Sequence, residues 1–317
     1  MRDNFNTVNQ SEQPENSVSE ETSSRGLSPS NKVHEFESVS GDTRLLNKVT
    51  GEVLELTPEM KHKFRLSRMQ SRVYAWANAV KAFGGLKGGR SYRQVMITLT
   101  YAPDVQWSPN HIRDFIKGLR RVCGDNLLAY AWVSEMQARG VPHYHVFAVV
   151  RKGTRIPKPD KPFGQRGHKL WPHGMSKIET AKSAFYLVKY TGKEHQKEGF
   201  YKGMRIFAVW IAKGILDEVE QRRFRVSSLP RWLQKRVIDH ITHKDYEHPK
   251  PAQGGGWLVM GEIMKSDWVY QKLVEGEWVN ASSSMANLQY DDMTDGERGI
   301  IDFNDFSDYC KEMEGQY

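Results

Sequence analysis

A pair of strand-like segments joined by a short turn constrains the fold more than any other feature of the chain. Residues 127–137 and 143–150 are dominated by apolar, β-branched and aromatic side chains, and Ala138-Arg-Gly140 interrupts them. We therefore predict an antiparallel β-hairpin. A three-residue turn over Arg139-Gly-Val141 is favoured because glycine readily adopts the positive φ that such a turn requires.

The second predicted strand carries two histidines. His143 and His145 are two residues apart, so their imidazoles lie on one face of the strand while Tyr144 faces the other way. Neutral imidazoles held side by side on a rigid strand are suitable ligands for a metal ion. Taken alone, the same pattern is typical of two surface histidines.

The predicted turn supplies a third candidate ligand. It places Glu135 opposite His145 and Gln137 opposite His143, with directly paired side chains about 5 Å apart at Cβ. A two-residue turn would instead direct Glu135 to the other face. Glu135 is therefore the expected third ligand, and Gln137 is the alternative. Two histidines and a carboxylate, without thiolates, favour Mg²⁺ or Mn²⁺ over a structural zinc.

Two tyrosines fall on one face of a helix predicted over residues 177–192. Tyr186 and Tyr190 are one turn apart and share that face with Lys189. Nearby cations favour the phenolate of a tyrosine, whose ordinary pKa is about 10, and so make it a candidate nucleophile. Lys182 and Lys189 flank Tyr186 one turn away on either side, which predicts that Tyr186 reacts before Tyr190. The alternative is an amphipathic packing helix without chemistry.

The order of the predicted elements defines the fold class. Strands over 94–101, 127–137, 143–150 and 204–211 and helices over 109–122 and 177–192 alternate as β-α-β-β-α-β. This order predicts an α+β, ferredoxin-like core whose antiparallel sheet has helices on one face and an open second face. A basic helix follows the capping pair Thr57-Pro58. The extension after residue 213 is predicted to be mainly helical to about His243, with short strands or loops after Pro249.

Charge is concentrated in the middle of the chain. The net charge is +8, but residues 1–45 carry −4 and residues 287–317 carry −7, so residues 46–286 carry +19. A basic body of this kind favours a polyanionic partner, most simply nucleic acid. The two cysteines are far apart and form no disulfide framework, and no apolar run is long enough to span a membrane. We expect an intracellular protein with no membrane partner.

Composition divides the chain into five segments. The N-terminal segment has too little apolar surface to offset the entropy that would be lost on ordering, so we expect it to be disordered. The segments are a disordered polar stretch at 1–45, a basic helix with a Gly-rich linker at 46–92, a central domain at 93–212, an accessory basic and aromatic region at 213–286, and an acidic tail at 287–317.

Three segments of the central domain together resemble a known family. Ile97-Thr-Leu-Thr-Tyr101, His143-Tyr-His145 and Tyr186-Leu-Val-Lys-Tyr-Thr-Gly-Lys193 are similar in order and spacing to the three motifs of the HUH endonucleases, the rolling-circle replication initiators. The third segment resembles the two-tyrosine form found in phage and plasmid initiators. The resemblance covers about residues 93–212 and implies that this segment is the nuclease domain.

The resemblance implies a metal-dependent DNA nickase and strand transferase that starts rolling-circle replication. Tyr186 would attack single-stranded origin DNA, leaving a 5′-phosphotyrosine and a 3′-OH primer, and Tyr190 would perform the second transfer that rejoins the strand. Lys189 would stabilise the phosphate or the phenolate. The metal, Mg²⁺ or Mn²⁺, would be held by His143, His145 and Glu135.

The same resemblance implies partners and a place of action. A host DNA polymerase would extend the 3′-OH and a host helicase would open the duplex, in the cytoplasm of the host cell. Two alternatives stay open. One is a non-catalytic nucleic-acid-binding protein on a ferredoxin-like sheet. The other is a relaxase or transposase of the same superfamily.

Further residues are predicted to contact DNA outside the reacting centre. Basic side chains can bind phosphates without reading sequence, and aromatic side chains can stack on unpaired bases. The basic candidates are the helix at 61–72 with Arg231, Lys235 and Arg236, and the aromatic candidates are Tyr92, Trp107 and Trp171.

Overall fold

The computed structural model describes residues 42–83, 91–193, 198–201, 203–253 and 255–281. The predicted disorder of residues 1–41, the Gly-rich linker at 84–90 and the acidic tail at 287–317 lie outside these ranges. Disorder is contradicted at the end of the first segment, because Thr43, Arg44 and Leu45 already belong to a strand.

The described elements follow one another in this order: β1 Thr43–Asn47, β2 Val53–Glu55, α1 Pro58–Ala82, β3 Tyr92–Tyr101, α2 Pro109–Cys123, β4 Leu127–Met136, β5 Pro142–Arg151, β6 Gly174–Thr180, α3 Phe185–Val188, β7 Phe207–Ile211, α4 Glu218–Val226, α5 Arg231–Val237, β8 Lys250–Pro251, β9 Trp257–Val259, β10 Glu262–Met264, β11 Trp268–Val274 and β12 Glu277–Asn280. The prediction of a mixed α+β fold with antiparallel sheets is confirmed.

The central sheet has five antiparallel strands in the order β6-β3-β5-β4-β7. Strand β5 lies in the middle, and its residues from Tyr144 to Val150 are all buried. The predicted β-α-β-β-α-β order is not what the structure contains, because the additional strand β6 stands between the hairpin and α3.

Helices cover both faces of this sheet, so the prediction of an open second face is wrong. On one face the α1 residue Trp76 packs edge-on against Phe147 of β5, with ring centroids 5.6 Å apart. On the other face Tyr144 of β5 contacts Trp171, which in turn contacts Phe115 of α2. The N-terminal helix α1 thus shares one hydrophobic core with the sheet.

The helix predicted over residues 177–192 is wrong in its first part. Residues 174–180 form the edge strand β6, which pairs with β3 so that Ile178 lies beside Ile97. Helix α3 begins only at Phe185 and is followed by a 3-10 turn over Lys189–Thr191. Gly174 is required where β6 begins, since a Cβ there would lie 2.2 Å from the carbonyl oxygen of Thr100.

The β4–β5 hairpin is confirmed, but its register differs by two residues from the prediction. Glu135 lies opposite His143, and the three-residue turn is Ala138–Gly140, one residue earlier than expected. Gly140 adopts the expected positive φ of 75°. A shift of two residues preserves the face to which each side chain points, so Glu135 still joins the histidines.

Two smaller sheets complete the described fold. Strands β2, β1, β11 and β12 are neighbours in one sheet, and β8, β9 and β10 form the other. The prediction of a mainly helical stretch to about His243 agrees with α4, α5 and the 3-10 turn that ends at His240, and the short strands or loops predicted after Pro249 agree with the strands at 250–280. None of the helices within the described ranges has the length and apolar character needed to cross a membrane.

Candidate active site

The histidine face of β5 carries the centre of the candidate site. Nε2 of His145 lies 3.1 Å from Oε2 of Glu135, and both side chains are almost fully buried. The rings of His143 and His145 are neighbours, with centroids 4.7 Å apart. The alternation of the strand and the three-residue turn thus bring together the three residues predicted as metal ligands.

His143 is held from two sides through its Nδ1 atom. The hydroxyl of Thr100, on the neighbouring strand β3, lies 2.9 Å from Nδ1, and the side-chain nitrogen of Gln137 lies 3.3 Å from it. Burial and the neighbouring His145 lower the pKa of His143 to about 4. The imidazole is therefore neutral at physiological pH, which is the form that binds metals.

Tyr190 covers the histidine pair from the 3-10 turn that follows α3. Its ring stacks on that of His145 with centroids 3.7 Å apart and an interplanar angle of 21°. Its hydroxyl donates a hydrogen bond of 3.2 Å to the hydroxyl of Tyr186. The two phenols therefore meet at their oxygen atoms, with Tyr190 half-buried against the sheet and Tyr186 42% exposed.

The two tyrosines differ in acidity. The hydrogen bond from Tyr190 and the neighbouring Lys189 lower the pKa of Tyr186. Burial and the Tyr186 hydrogen bond raise the pKa of Tyr190. The Nζ atom of Lys189 lies 3.9 Å from the centre of the Tyr186 ring. Tyr186 is thus the phenol that more readily becomes a phenolate. Lys182 lies three residues before the first residue of α3, so the helical spacing used to predict its position does not apply.

Lys193 connects the tyrosines with the carboxylate. Its Nζ atom lies 3.7 Å from Oε1 of Glu135 and 4.8 Å from the centre of the Tyr190 ring. A cation in this place compensates the charge of a carboxylate that is removed from water. In the parts of the chain that the structure describes, no group of three or more His, Cys, Asp or Glu side chains is already arranged to hold a metal ion.

Comparison with known families addresses this same part of the chain. Residues 94–195 match the model of a family of replication-associated proteins of the ORF2 type. The match is consistent with a rolling-circle replication initiator, and the matched span contains every residue of the site described above. No curated protein matches the chain.

The predicted DNA-contacting aromatics fall into different environments. Trp171 is fully buried and donates its Nε1–H to the carbonyl of Thr100, so its predicted role in base stacking is wrong. Tyr92 is half-buried and packs edge-on against Phe83. Trp107 is half-buried and stacks on Tyr201.

The predicted basic contacts also differ from one another. Arg72 of α1 is turned inward, where it donates a hydrogen bond of 2.7 Å to the hydroxyl of Ser227, and burial lowers its pKa to about 10. It is therefore committed to packing and not to phosphate. Lys235 and Arg236 on α5 are exposed to solvent.

Sequence reasoning missed two residues that position the site. Thr100 lies in the first motif but was interpreted only as part of a strand, because its pairing with His143 depends on a register between segments far apart in the chain. Tyr201 belongs to no recognised motif, and the only sequence signal for it is its position shortly after α3, which carries Tyr186.

Proposed function

We propose that this protein initiates rolling-circle DNA replication by cutting single-stranded origin DNA with Tyr186 and later rejoining the strand. The match to a replication-associated family supports the biological role. The observation that carries the chemistry is the contact between the two phenols, since Tyr190 stacks on His145 while bonded to Tyr186. This arrangement brings a candidate nucleophile beside a candidate metal centre.

The separation of two of the predicted ligands supports a divalent ion. Two ligands at right angles on an octahedral Mg²⁺ lie about 3 Å apart, given metal–oxygen distances of about 2.1 Å. Nε2 of His145 and Oε2 of Glu135 have this separation, at 3.1 Å. His143 would complete the set with its Nε2 atom in the tautomer whose Nδ1–H donates to Thr100, in which the amide nitrogen of Gln137 no longer donates to Nδ1. A bound Mg²⁺ or Mn²⁺ would polarise the scissile phosphate and offset its developing negative charge.

The protein residues divide the remaining work. Tyr186 loses its proton to solvent, and the phenolate is stabilised by the hydrogen bond from Tyr190 and by Lys189. The phenolate oxygen forms a bond to phosphorus while the bond from phosphorus to O3′ breaks. The leaving O3′ takes a proton from water and becomes the 3′-OH primer. The strand 3′ to the cut stays attached through its 5′-phosphate, so no ATP is needed for rejoining.

Tyr190 serves the second transfer. Its hydroxyl lies 3.2 Å from that of Tyr186, so it can attack a second phosphate at the same centre once Tyr186 is occupied by DNA. Its raised pKa favours the protonated donor in the first step. The exposed Tyr186 therefore cuts first and the half-buried Tyr190 follows.

The proposal is tested by trapping the covalent intermediate. We would incubate the protein with random single-stranded oligonucleotides labelled at the 3′ end, in Mn²⁺ or Mg²⁺, and measure label that stays on the protein in denaturant. The Tyr186→Phe, Tyr190→Phe double variant should reduce the adduct by about a thousandfold or more, because the nucleophile is absent. Tyr186→Phe alone should reduce it more than Tyr190→Phe alone.

Tyr74→Phe provides the matched control. Tyr74 lies on α1 and packs against Phe185 beside the site, so its variant removes a nearby phenol oxygen without touching the reacting pair. Its adduct yield should equal that of the unmodified protein. An adduct that persists in the double variant would contradict tyrosine attack, and no adduct in any variant would favour a non-catalytic DNA-binding protein.

A further inference from the structure

An aromatic pair lies at the hairpin end of the central sheet, outside the proposed reacting centre. Trp107, in the segment before α2, stacks on Tyr201, in the segment before β7, with ring centroids 4.9 Å apart and an interplanar angle of 22°. Neither residue belongs to a helix or strand. Two rings from distant parts of the chain are thus held nearly parallel.

Each ring is fixed at its polar edge by the protein. Trp107 donates its Nε1–H to the hydroxyl of buried Tyr144 at 2.9 Å, and the Tyr201 hydroxyl donates to the carbonyl of Gly140 at 2.8 Å. Tyr201 is nevertheless 38% exposed. Because its hydroxyl is bonded to the backbone and one face of its ring is stacked on Trp107, the orientation of this partly exposed ring is fixed.

This pair is connected to the candidate site by a short series of contacts. The carbonyl that Tyr201 binds belongs to the turn before His143. In the same turn the exposed Arg139 donates to the side chain of Gln137, and Gln137 contacts Nδ1 of His143 at 3.3 Å. Arg139 also donates to the carbonyl of Tyr101, so its guanidinium is held at the same turn as the Gly140 carbonyl that Tyr201 binds.

We propose that Tyr201, supported by Trp107, is a stacking platform for one unpaired base of the single strand that the active site cuts. The proposal rests on the proposed function for the identity of the ligand. Every base presents a π-face, so an anchored ring binds single-stranded nucleic acid with little dependence on sequence. Arg139 supplies positive charge for the adjoining phosphate, as expected of a phosphate-positioning side chain.

Binding by a protein that cannot cut separates the two proposals. In the Tyr186→Phe, Tyr190→Phe background we would measure the Kd for a fluorescein-labelled oligothymidylate of about 12 nucleotides by anisotropy. Tyr201→Ala should weaken binding by about 5- to 100-fold, the usual range for loss of one stacked base. Tyr201→Phe, which keeps the ring, should bind within about twofold of the parent.

Abasic scanning locates the stacked base. In the parent, one abasic position of the oligonucleotide should weaken binding, and the same substitution should have no further effect in Tyr201→Ala. Trp107→Phe should bind with intermediate affinity, since a smaller ring still supports Tyr201. Trp278→Ala is the control, because Trp278 lies on β12 in a different sheet, where its ring packs against Arg44.

The outcomes distinguish the two proposals. Equal binding by the parent and a folded Tyr201→Ala, checked by circular dichroism, would overturn the platform alone. Weakening by Trp278→Ala as large as that by Tyr201→Ala would also overturn it. Loss of binding in Tyr201→Ala together with an absent covalent adduct in the unmodified protein would support the platform and reject the cutting mechanism. No binding by the parent would reject both.

Discussion

The two faces of strand β5 have different roles, although the residues of the two faces alternate within the short segment from His143 to His145. On one face His143 and His145 meet Glu135, Thr100 and a stacked tyrosine. On the other face Tyr144 is fully buried against Trp132, Trp171 and Tyr101. At the hairpin end of β5, one face is polar and turned to the candidate chemistry, and the other is an aromatic core.

This contrast shows how the site obtains its rigidity. The imidazoles cannot shift along the strand unless the Tyr144 ring shifts too, because both belong to one backbone segment paired on each side. Close-packed interiors resist such displacement. The aromatic face therefore fixes the histidine face, and each face can be altered without directly touching the other.

The largest expected effect comes from breaking the aromatic face. Tyr144→Ala removes a fully buried ring and leaves Nε1 of Trp107 without the hydroxyl it binds. We expect the free energy of unfolding to fall by about 3–5 kcal/mol, the usual cost of truncating a buried aromatic. Urea denaturation measures this change. A loss below about 1 kcal/mol would show that the aromatic face does not support the strand.

A smaller effect is expected from altering the histidine face through its supporting hydroxyl. Thr100→Val keeps the shape of the side chain but removes the oxygen 2.9 Å from Nδ1 of His143. We expect Mn²⁺ affinity to fall by about 10- to 100-fold, as for other partners that orient a metal-bound histidine. Titration calorimetry checks this.

Thr98→Val is the matched control for that measurement. Thr98 lies on the same strand and the same face, opposite His145. Its substitution should change Mn²⁺ affinity by less than about threefold, so that equal losses in both variants would argue for a general disturbance of β3. The free energy of unfolding of each variant should differ from that of the unmodified protein by about 0.5–1.5 kcal/mol, as expected for conservative changes at partly buried residues.

The smallest effect is expected from pH. The pKa of His143 is about 4 in the folded protein, below the ordinary value of about 6.5 that it regains on unfolding. Between pH 6.5 and 4, His143 is protonated in the unfolded chain but neutral in the folded protein. The free energy of unfolding therefore falls as the pH decreases through this range. Without added metal, the loss between pH 6.5 and 5.5 should be about 1 kcal/mol and absent from His143→Ala. Parallel pH profiles of unfolding for the two proteins would contradict the assignment.

The hairpin and its histidines could be predicted because their signals are local. Alternation fixes the faces of neighbouring residues, and Gly140 marks the turn. The predicted register was wrong by two residues, yet Glu135 stayed on the correct face because side chains alternate with a period of two. The two-residue error in register therefore changed the predicted pairing partner of Glu135 but not its predicted place beside the histidines.

The elements that could not be predicted depend on distant partners. Residues 174–180 contain few apolar side chains, and only pairing with β3 makes them a strand. The predicted helix extended backward over them because its apolar spacing after Ala181 gave no sign of where it began. Strand β11 pairs with β1, which lies near the other end of the sequence. Neither segment contains a sequence signal that identifies its pairing partner.

Strand β1 cannot pair with β11 until the ribosome has synthesised the residues between them. Arg44 and its partner Gln271 are 227 residues apart in sequence. At a translation rate of about 5–20 residues per second, the ribosome needs roughly 10–45 s to make the partner after it has made β1. The central sheet, whose strands are close in sequence, can assemble during that interval. The pairing of β1 with β11 can therefore form only after Tyr186 and Tyr190 have been synthesised together with every strand of the central sheet.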